Sequence, residues 1–383
     1  MKTYTFKLYN SKRNRKLKRQ INAAGLIYNH CIALHKRYYN LYGKHLKKYD
    51  LEKHLTKLKR SKNFSYLKEI GSQSVQDIAD RIERAYNLFY RNRKNKRKAS
   101  PPNFKKVRKY KSFTLKQSGW KIDEETGTIR IGREKYKYFQ SRRIEGKIKT
   151  VTIKRDAVGD IYIYVVSDFS EEIIMERTGK SVGYDFGLKR FLTASDGKDI
   201  ESPMFFVKNA KKIKSKSKKL STKKEHSKNR NKARLELARA YKKTVNQRKD
   251  FHFKTARKIC EEYAVVCFED LNLSGMKKRH GRKVSDLGFY NFLQILKYEA
   301  QKFGTQIIFI DRWYASSQIC SKCGYKNSKV KDLRIREWKC PKCGAEHNRD
   351  RNASINILRV GTSTLGVDEV RPETDDCQTG VCC

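Results

Sequence analysis

The sequence is poor in acid and has no long apolar stretch. Its 383 residues carry 40 Asp and Glu against 90 Lys and Arg, a formal net charge of +50, or about one excess cation per eight residues. Solubility needs far less. Unbroken apolar runs stop at lengths such as Ile161–Val166 and Ala264–Phe268, and a membrane-spanning helix takes about 20 residues. Met1–Phe6 lacks the apolar stretch of a signal peptide. Gly380 stands where a prenylation signal would need cysteine.

Core-forming residues are present: 38% of the chain is hydrophobic and 11% aromatic, which excludes a wholly disordered basic tail. The positive charge is spread along the chain rather than gathered on one amphipathic helix. This favours a nucleic-acid partner over an anionic membrane surface. The length fits roughly two to four domains.

Tyr4-Thr5-Phe6-Lys7-Leu8 alternates apolar and polar residues and predicts a strand. From about 11 to 93 the spacing is helical. Leu17, Ile21, Ala24, Tyr28, Ile32 and His35 share one face; Val75, Ile78, Ala79, Ile82, Tyr86 and Phe89 share another. Residues 91–111 hold eleven basic residues and no acid around Pro101-Pro102, a basic linker. Strand signals then return, with Thr150–Arg155 and Ile161–Val166 flanking the turn Val158-Gly159-Asp160. A lone strand, a helical stretch and a return to strands predict one β-barrel interrupted by a helical domain.

Beyond residue 181 the pattern changes. Val182–Gly187 reads as a strand reaching an acid, and Phe191–Ala194 pairs back. Residues 208–234 hold thirteen basic residues and one acid, and long helices run to about Glu262. Ala264–Phe268 reads as a strand buried on both faces. An amphipathic helix with Phe289, Phe292, Leu296 and Phe303 precedes the strand Ile307–Ile310, which predicts an α/β core. Thr178-Gly179-Lys180-Ser181 lacks the earlier glycine of a phosphate loop, since residue 174 is Ile, and reads as a turn.

Cys320-x2-Cys323 and Cys340-x2-Cys343 stand sixteen residues apart, each pair followed by glycine. Two such turns place four thiolates around one tetrahedral ion, which points to structural zinc. Four protein ligands leave no open position for catalysis, and His347 is expected to be a bystander. Cys31, Cys260, Cys267, Cys377, Cys382 and Cys383 have no ligand spacing.

Asp185 and Glu269 end strands and Asp350 opens a helix, at separations of 84 and 81 residues. Three acids brought together repel one another unless cations intervene. Mg²⁺, with its preference for hard oxygen ligands, suits them, and two such ions clamp a phosphodiester. Glu269 and Asp270 face opposite sides of a strand, and spacing alone does not choose between them.

Gly183–Lys189, Phe268–Leu273 and Asn348–Ile357 resemble the three RuvC motifs of the TnpB (OrfB) family, RNA-guided nucleases of insertion sequences related to type V CRISPR effectors. The cysteine pairs fall between the second and third motifs, after Ser316-Ser317-Gln318, as in that family. The resemblance implies Asp185, Glu269 and Asp350 as metal-binding catalytic acids, choosing Glu269 over Asp270. It implies a multidomain α+β fold: an N-terminal β-barrel with an inserted helical recognition domain, then an RNase H-like (RuvC) α/β nuclease domain with a zinc-ribbon insert. The expected bounds are 1–10 and 100–172 for the barrel, 11–99 for the helical domain, 173–314 and 347–360 for the nuclease domain, 315–346 for the zinc ribbon, and 361–383 for a disordered acidic tail. Gln76 and Thr114 stand where the family reads a short flanking DNA motif. Tyr184 and Phe186 are bulkier than the residues usual beside the first acid.

The expected activity is Mg²⁺-dependent cleavage of double-stranded DNA by a transposon-encoded, guide-RNA-directed endonuclease, next to a short flanking motif. The implied partners are guide RNA and target DNA, and the implied setting is a prokaryotic cytoplasm. Two other readings draw on the same features: a catalytically silent RNA-guided regulator, and a guide-free transposase or resolvase.

Overall fold

The computed structural model describes residues 1–169 and 178–363. Two compact units divide the chain at residues 171 and 172.

The first unit opens with β1 (Lys2–Lys7), followed by helices α1 (Asn14–Tyr42), α2 (Lys48–Leu58) and α3 (Ser72–Lys94). Six strands complete it: β2 (Ser112–Leu115), β3 (Trp120–Asp123), β4 (Thr128–Ile131), β5 (Glu134–Lys137), β6 (Ile148–Arg155) and β7 (Ile161–Ser167). They form a four-stranded sheet in the order β1-β7-β6-β2 and a three-stranded sheet β3-β4-β5, bridged where Leu8 meets Tyr138. The β6–β7 hairpin turns as its sequence predicts. Asp156 Oδ1 accepts hydrogen bonds from the amides of Val158, Gly159 and Asp160, and Gly159 takes the positive φ that the turn requires.

The apolar faces expected on α1 and α3 are the buried ones. Leu17, Ile21, Ala24, Tyr28 and Ile32 join Ile78, Ala79, Ile82, Tyr86 and the strand residues Tyr4, Phe6, Val151 and Ile163 in one core. The helices are therefore packed on the sheet, not set apart from it.

The second unit holds β8 (Ser181–Phe186), β9 (Arg190–Ala194), β10 (Ile200–Glu201), α4 (Phe205–Ser221), α5 (Lys228–Glu262), β11 (Val265–Glu269), α6 (Leu273–Leu287), α7 (Phe289–Phe303), β12 (Gln306–Ile310), the short pair β13 (Glu337–Lys339) and β14 (Glu346–Asn348), and α8 (Arg349–Ser363). Its main sheet runs β10-β9-β8-β11-β12, with β8, β11 and β12 parallel. α5 and α7 pack on one face, where Phe186, Phe191, Phe268, Phe289 and Phe292 meet ring to ring.

The other face of that sheet carries α8, held so close that only glycine fits at two points. A Cβ on Gly183 would lie 2.3 Å from the Ser354 carbonyl oxygen and 2.6 Å from the Leu358 amide nitrogen. A Cβ on Gly361 would lie 2.4 Å from Cys267 Sγ. This contact corrects the expected boundary at 361: the helix runs on to Ser363, because Gly361 is part of its seat on β11. Residues 364–383, the rest of the expected tail, lie outside the described residues. β14 also crosses the boundary expected at 346, pairing with β13 through Asn348. Among the described residues, no helix is long and apolar enough to cross a membrane.

Two tests follow from the packing. Gly183→Ala sets a side chain against helix backbone that has no free rotamer to yield, so the second unit should lose roughly 1–3 kcal/mol in a denaturation titration. Gly281→Ala, where nothing lies within 4 Å, should be neutral or stabilising.

In the first unit, His35 is 3% exposed, stacks on Tyr86 and His45, and has no hydrogen-bond partner for either ring nitrogen. Burial first, then His45, pushes its pKa down to about 4. The unfolded chain therefore takes up this proton first as the pH falls. Stability should decline from about pH 6.5 to about pH 4, by up to roughly 3 kcal/mol. His35→Phe should flatten that part of the pH profile.

Candidate active site

The site is set by strand parity and register. β8 and β11 run side by side with Gly183 opposite Cys267 and Tyr184 opposite Phe268. Tyr184, Phe186, Val266 and Phe268 point into the core shared with α5 and α7, whereas Gly183 and Cys267 meet α8. Side chains alternate along a strand, so Asp185 and Glu269 fall on the α8 face, and the next step of the register sets them side by side. Asp350 is the second residue of α8.

All three acids line one cavity of about 1080 Å³, together with Lys189, Arg312 and Arg336. Of the adjacent acids, Glu269 lines it. Asp270 has the opposite parity, is exposed, and accepts a hydrogen bond from Arg312 Nε at 3.2 Å. The bulky Tyr184 and Phe186 take the parity that points away from the site, stacking on Phe268.

Burial raises the Asp185 pKa, and the neighbouring Asp350 and Glu269 carboxylates raise it further, to about 8; Arg349 pulls the other way. Burial, then Asp270, pushes Glu269 up to about 7. Each of these carboxyls tends to hold a proton near neutrality unless a cation takes its place. Asp350 is engaged by Arg336, whose Nη1 donates to both carboxylate oxygens at 2.9 and 3.2 Å. Arg349 is buried beside them, donating from Nη1 to the Asp332 carbonyl at 2.7 Å.

The four cysteines converge. Their sulfurs all lie within 4.8 Å of one another. Cys320 and Cys343 stand 3.7 Å apart and Cys323 and Cys340 stand 3.6 Å apart. A tetrahedral ion with metal–sulfur bonds of about 2.3 Å would set sulfurs about 3.8 Å apart. His347 lies closer to them than the sequence suggests, with Nε2 3.0 Å from Cys320 Sγ and its ring against Trp338. Among the described residues, no second group of three or more ligating side chains converges as tightly; the three carboxylates share a cavity, with Asp350 drawn towards Arg336.

Several residues that build this site carry no motif of their own. Asn352 and Asn356, both buried on α8, donate from Nδ2 to the Ile319 carbonyl at 2.7 and 2.6 Å. Asn352 Oδ1 accepts from the Ser321 amide at 2.9 Å. The helix bearing Asp350 is thus tied to the chain leading into the cysteine cluster. Two asparagines four apart, on the same face as Ala353 and Ile357, were the available signal. Arg336 offered none, being one cation among ninety.

The two expected motif readers, both in the first unit, separate. Thr114, 9% exposed on β2, lines a cavity of about 750 Å³ with Asp77, Asp80, Arg81 and Lys116. Its hydroxyl already accepts from Arg81 Nη2 at 2.7 Å and shares a hydrogen bond with Thr152 at 2.9 Å. Gln76, half-buried on α3, is not among the residues lining that cavity.

Comparison with known proteins finds relatives along most of the chain. Residues 165–280 match the family model OrfB_IS605, described as "Probable transposase", and residues 289–357 match the model "Cas12f1-like, TNB domain". A protein of Streptomyces pristinaespiralis, provisionally named an RNA-guided DNA endonuclease, is 28% identical over 334 residues, covering 85% of this chain and 81% of its own. InsQ of Escherichia coli strain K12, with the same provisional description, is 27% identical over 372 residues, covering 92% and 90%. TnpB-like protein L79 of Acanthamoeba polyphaga mimivirus is 30% identical over 230 residues, 56% of this chain and 43% of that one. A solved Cas12f1–sgRNA–target DNA complex shares the multidomain α/β fold, with a TM-score of 0.55 at 16% identity over 91% of this chain and 83% of that one. In its motifs, in their order along the chain and in these relatives, the chain resembles the TnpB (OrfB) family.

Proposed function

We propose that the chain is an RNA-guided DNA endonuclease, cutting DNA by phosphodiester hydrolysis at Asp185, Glu269 and Asp350. The observation that carries this reading is the parity and register that set Asp185 and Glu269 beside each other, with Asp350 lining the same cavity from α8. Relatives spanning most of the chain are provisionally named for that activity. The large positive charge suits a protein that must hold an RNA and a DNA duplex. In this reading base pairing with the guide reads the target sequence, and the protein reads a short flanking motif through its first unit. Its setting would be a prokaryotic cytoplasm, and its partners guide RNA and double-stranded target DNA.

The donor set fits divalent cations of the Mg²⁺ class. All three ligands are carboxylates, and two of them are held above their ordinary pKa by burial and neighbouring negative charge. When bound, such ions supply charge neutralisation at the phosphate and activation of the attacking water. The chain's own residues do the rest. The strand backbones that carry Asp185 and Glu269 are fixed by the sheet, so both side chains leave it on the cavity side. Asp350 is held by Arg336, whose guanidinium lies where an incoming phosphate would compete for it. Lys189 and Arg312, on the same cavity wall, hold the strand by charge.

The cysteine cluster fits zinc in a structural role. Its four thiolates fill a tetrahedron, and through Asn352 and Asn356 the module steadies the start of α8.

Asp185→Ala should lower DNA cleavage by at least roughly a hundredfold while leaving nucleic-acid binding unchanged. The assay uses the protein purified with its bound RNA, incubated with target plasmid and Mg²⁺. Cleavage by the variant at the wild-type rate would reject the assignment, and wild-type cleavage after removal of all RNA would reject the guided reading.

Cys340→Ser should lose one equivalent of zinc by atomic absorption and open residues 315–348 to proteolysis. The proteolytic pattern of the first unit should stay as it was.

A further inference from the structure

The chain has three tryptophans. Trp338 is buried against His347, and Trp120 donates its indole N–H to the Lys116 carbonyl. Trp313 differs. It is 86% exposed, and among the described residues its ring has no hydrogen bond, stacking partner or overlying cation. An indole is a large apolar surface to leave in water, and this one is not left at random. It lines the cavity of the three carboxylates.

The backbone beneath it is fixed. The Trp313 amide donates to Asp311 Oδ1 at 2.6 Å, and the Tyr314 amide donates to the Asp311 carbonyl at 3.1 Å. On one side Arg312 is paired with Asp270; on the other Tyr314 packs beside Ile310 and Ile357. The neighbours are therefore tied down while the indole is held outward. Leu333, 60% exposed, lines the same cavity. The wall thus combines an aromatic face and an aliphatic side chain with the cations Lys189, Arg312 and Arg336.

A bare phosphate backbone would need only the cations. A stacked duplex has no base face free to cover an indole. Cations beside an exposed aromatic ring suit an unpaired strand, with phosphates on the charges and a base on the ring.

We infer that Trp313 is a positioning residue that stacks on an unpaired base of the strand entering the carboxylate cavity. The inference rests on the nuclease reading, since it makes the ligand of that cavity a single strand of nucleic acid.

The test uses the full chain with its bound RNA and a fluorescently labelled single-stranded oligothymidylate, with a duplex of equal length for comparison. Trp313→Ala should raise the KM for single-strand cleavage and the Kd for the oligothymidylate roughly five- to a hundredfold, with kcat little changed. Trp313→Tyr should recover most of the loss, because a ring is restored. Indole carries no charge, so the slope of log Kd against log salt should be the same in both variants and the wild type. Duplex affinity should not move.

Unchanged KM and Kd in Trp313→Ala would overturn the inference, as would an equal loss on single strand and duplex. The two readings fail separately. If the wild type cuts DNA and Trp313→Ala cuts with the same KM, the nuclease reading stands and the stacking role falls. If nothing is ever cut but Trp313→Ala loses the oligothymidylate selectively, the stacking role stands and the nuclease reading falls.

Discussion

Helix α8 lies on the central sheet with no side chain between them at Gly183, and the rest of the second unit depends on that contact. Asp350 belongs to the helix, and Asp185 and Glu269 belong to the strands beneath it. The span between the acids is therefore set by backbone against backbone rather than by flexible side chains. Packing densities in protein interiors leave little slack for such an approach to drift. Further along the helix Gly361 leaves room for the Cys267 side chain of β11, a second close contact that fixes the helix's direction as well as its height. The Asn352 and Asn356 bonds then attach the cysteine module to the same helix.

The electrostatics follow from the same geometry. Helix and sheet crowd carboxylates into a recess where water cannot fully solvate them, and burial leads the causes that lift Asp185 and Glu269. A chain with so large an excess of cations could have neutralised the recess internally. Instead Arg336 engages Asp350, while the Arg312 contact goes to Asp270, outside the cavity lining. Among the described residues, neither Asp185 nor Glu269 is drawn into an ion pair of that kind.

Much of this was legible in the sequence. The helical faces of 11–93, the hairpin at Gly159, the strand at 264–268 and the convergence of four cysteines were all written in local periodicity and spacing. What was not legible depended on partners far away in the chain. Glu269 and Asp270 are neighbours whose difference lies in which one shares a face with Cys267, and that becomes visible once α8 is in place. His347 stays outside the group of four thiols, as the coordination count implies, but its contact with Cys320 arises from the β13–β14 pairing, which local spacing does not show. Thr114 carried no sign that Arg81, a third of a hundred residues away, would occupy its hydroxyl. The end of α8 was misplaced because a helix ending in Gly-Thr-Ser looks finished at the glycine, whereas that glycine is a packing position.

The pleat of β11 has a consequence for how such a chain can change. Loops between its elements could lengthen or shorten without moving an acid. An insertion or deletion of a single residue between Val265 and Glu269 is another matter. It would turn the strand's faces over, bring Asp270 or Phe268 to the place of Glu269, and drive a polar side chain into the phenylalanine cluster. Drift by substitution is therefore open to this strand, and drift in length is closed to it.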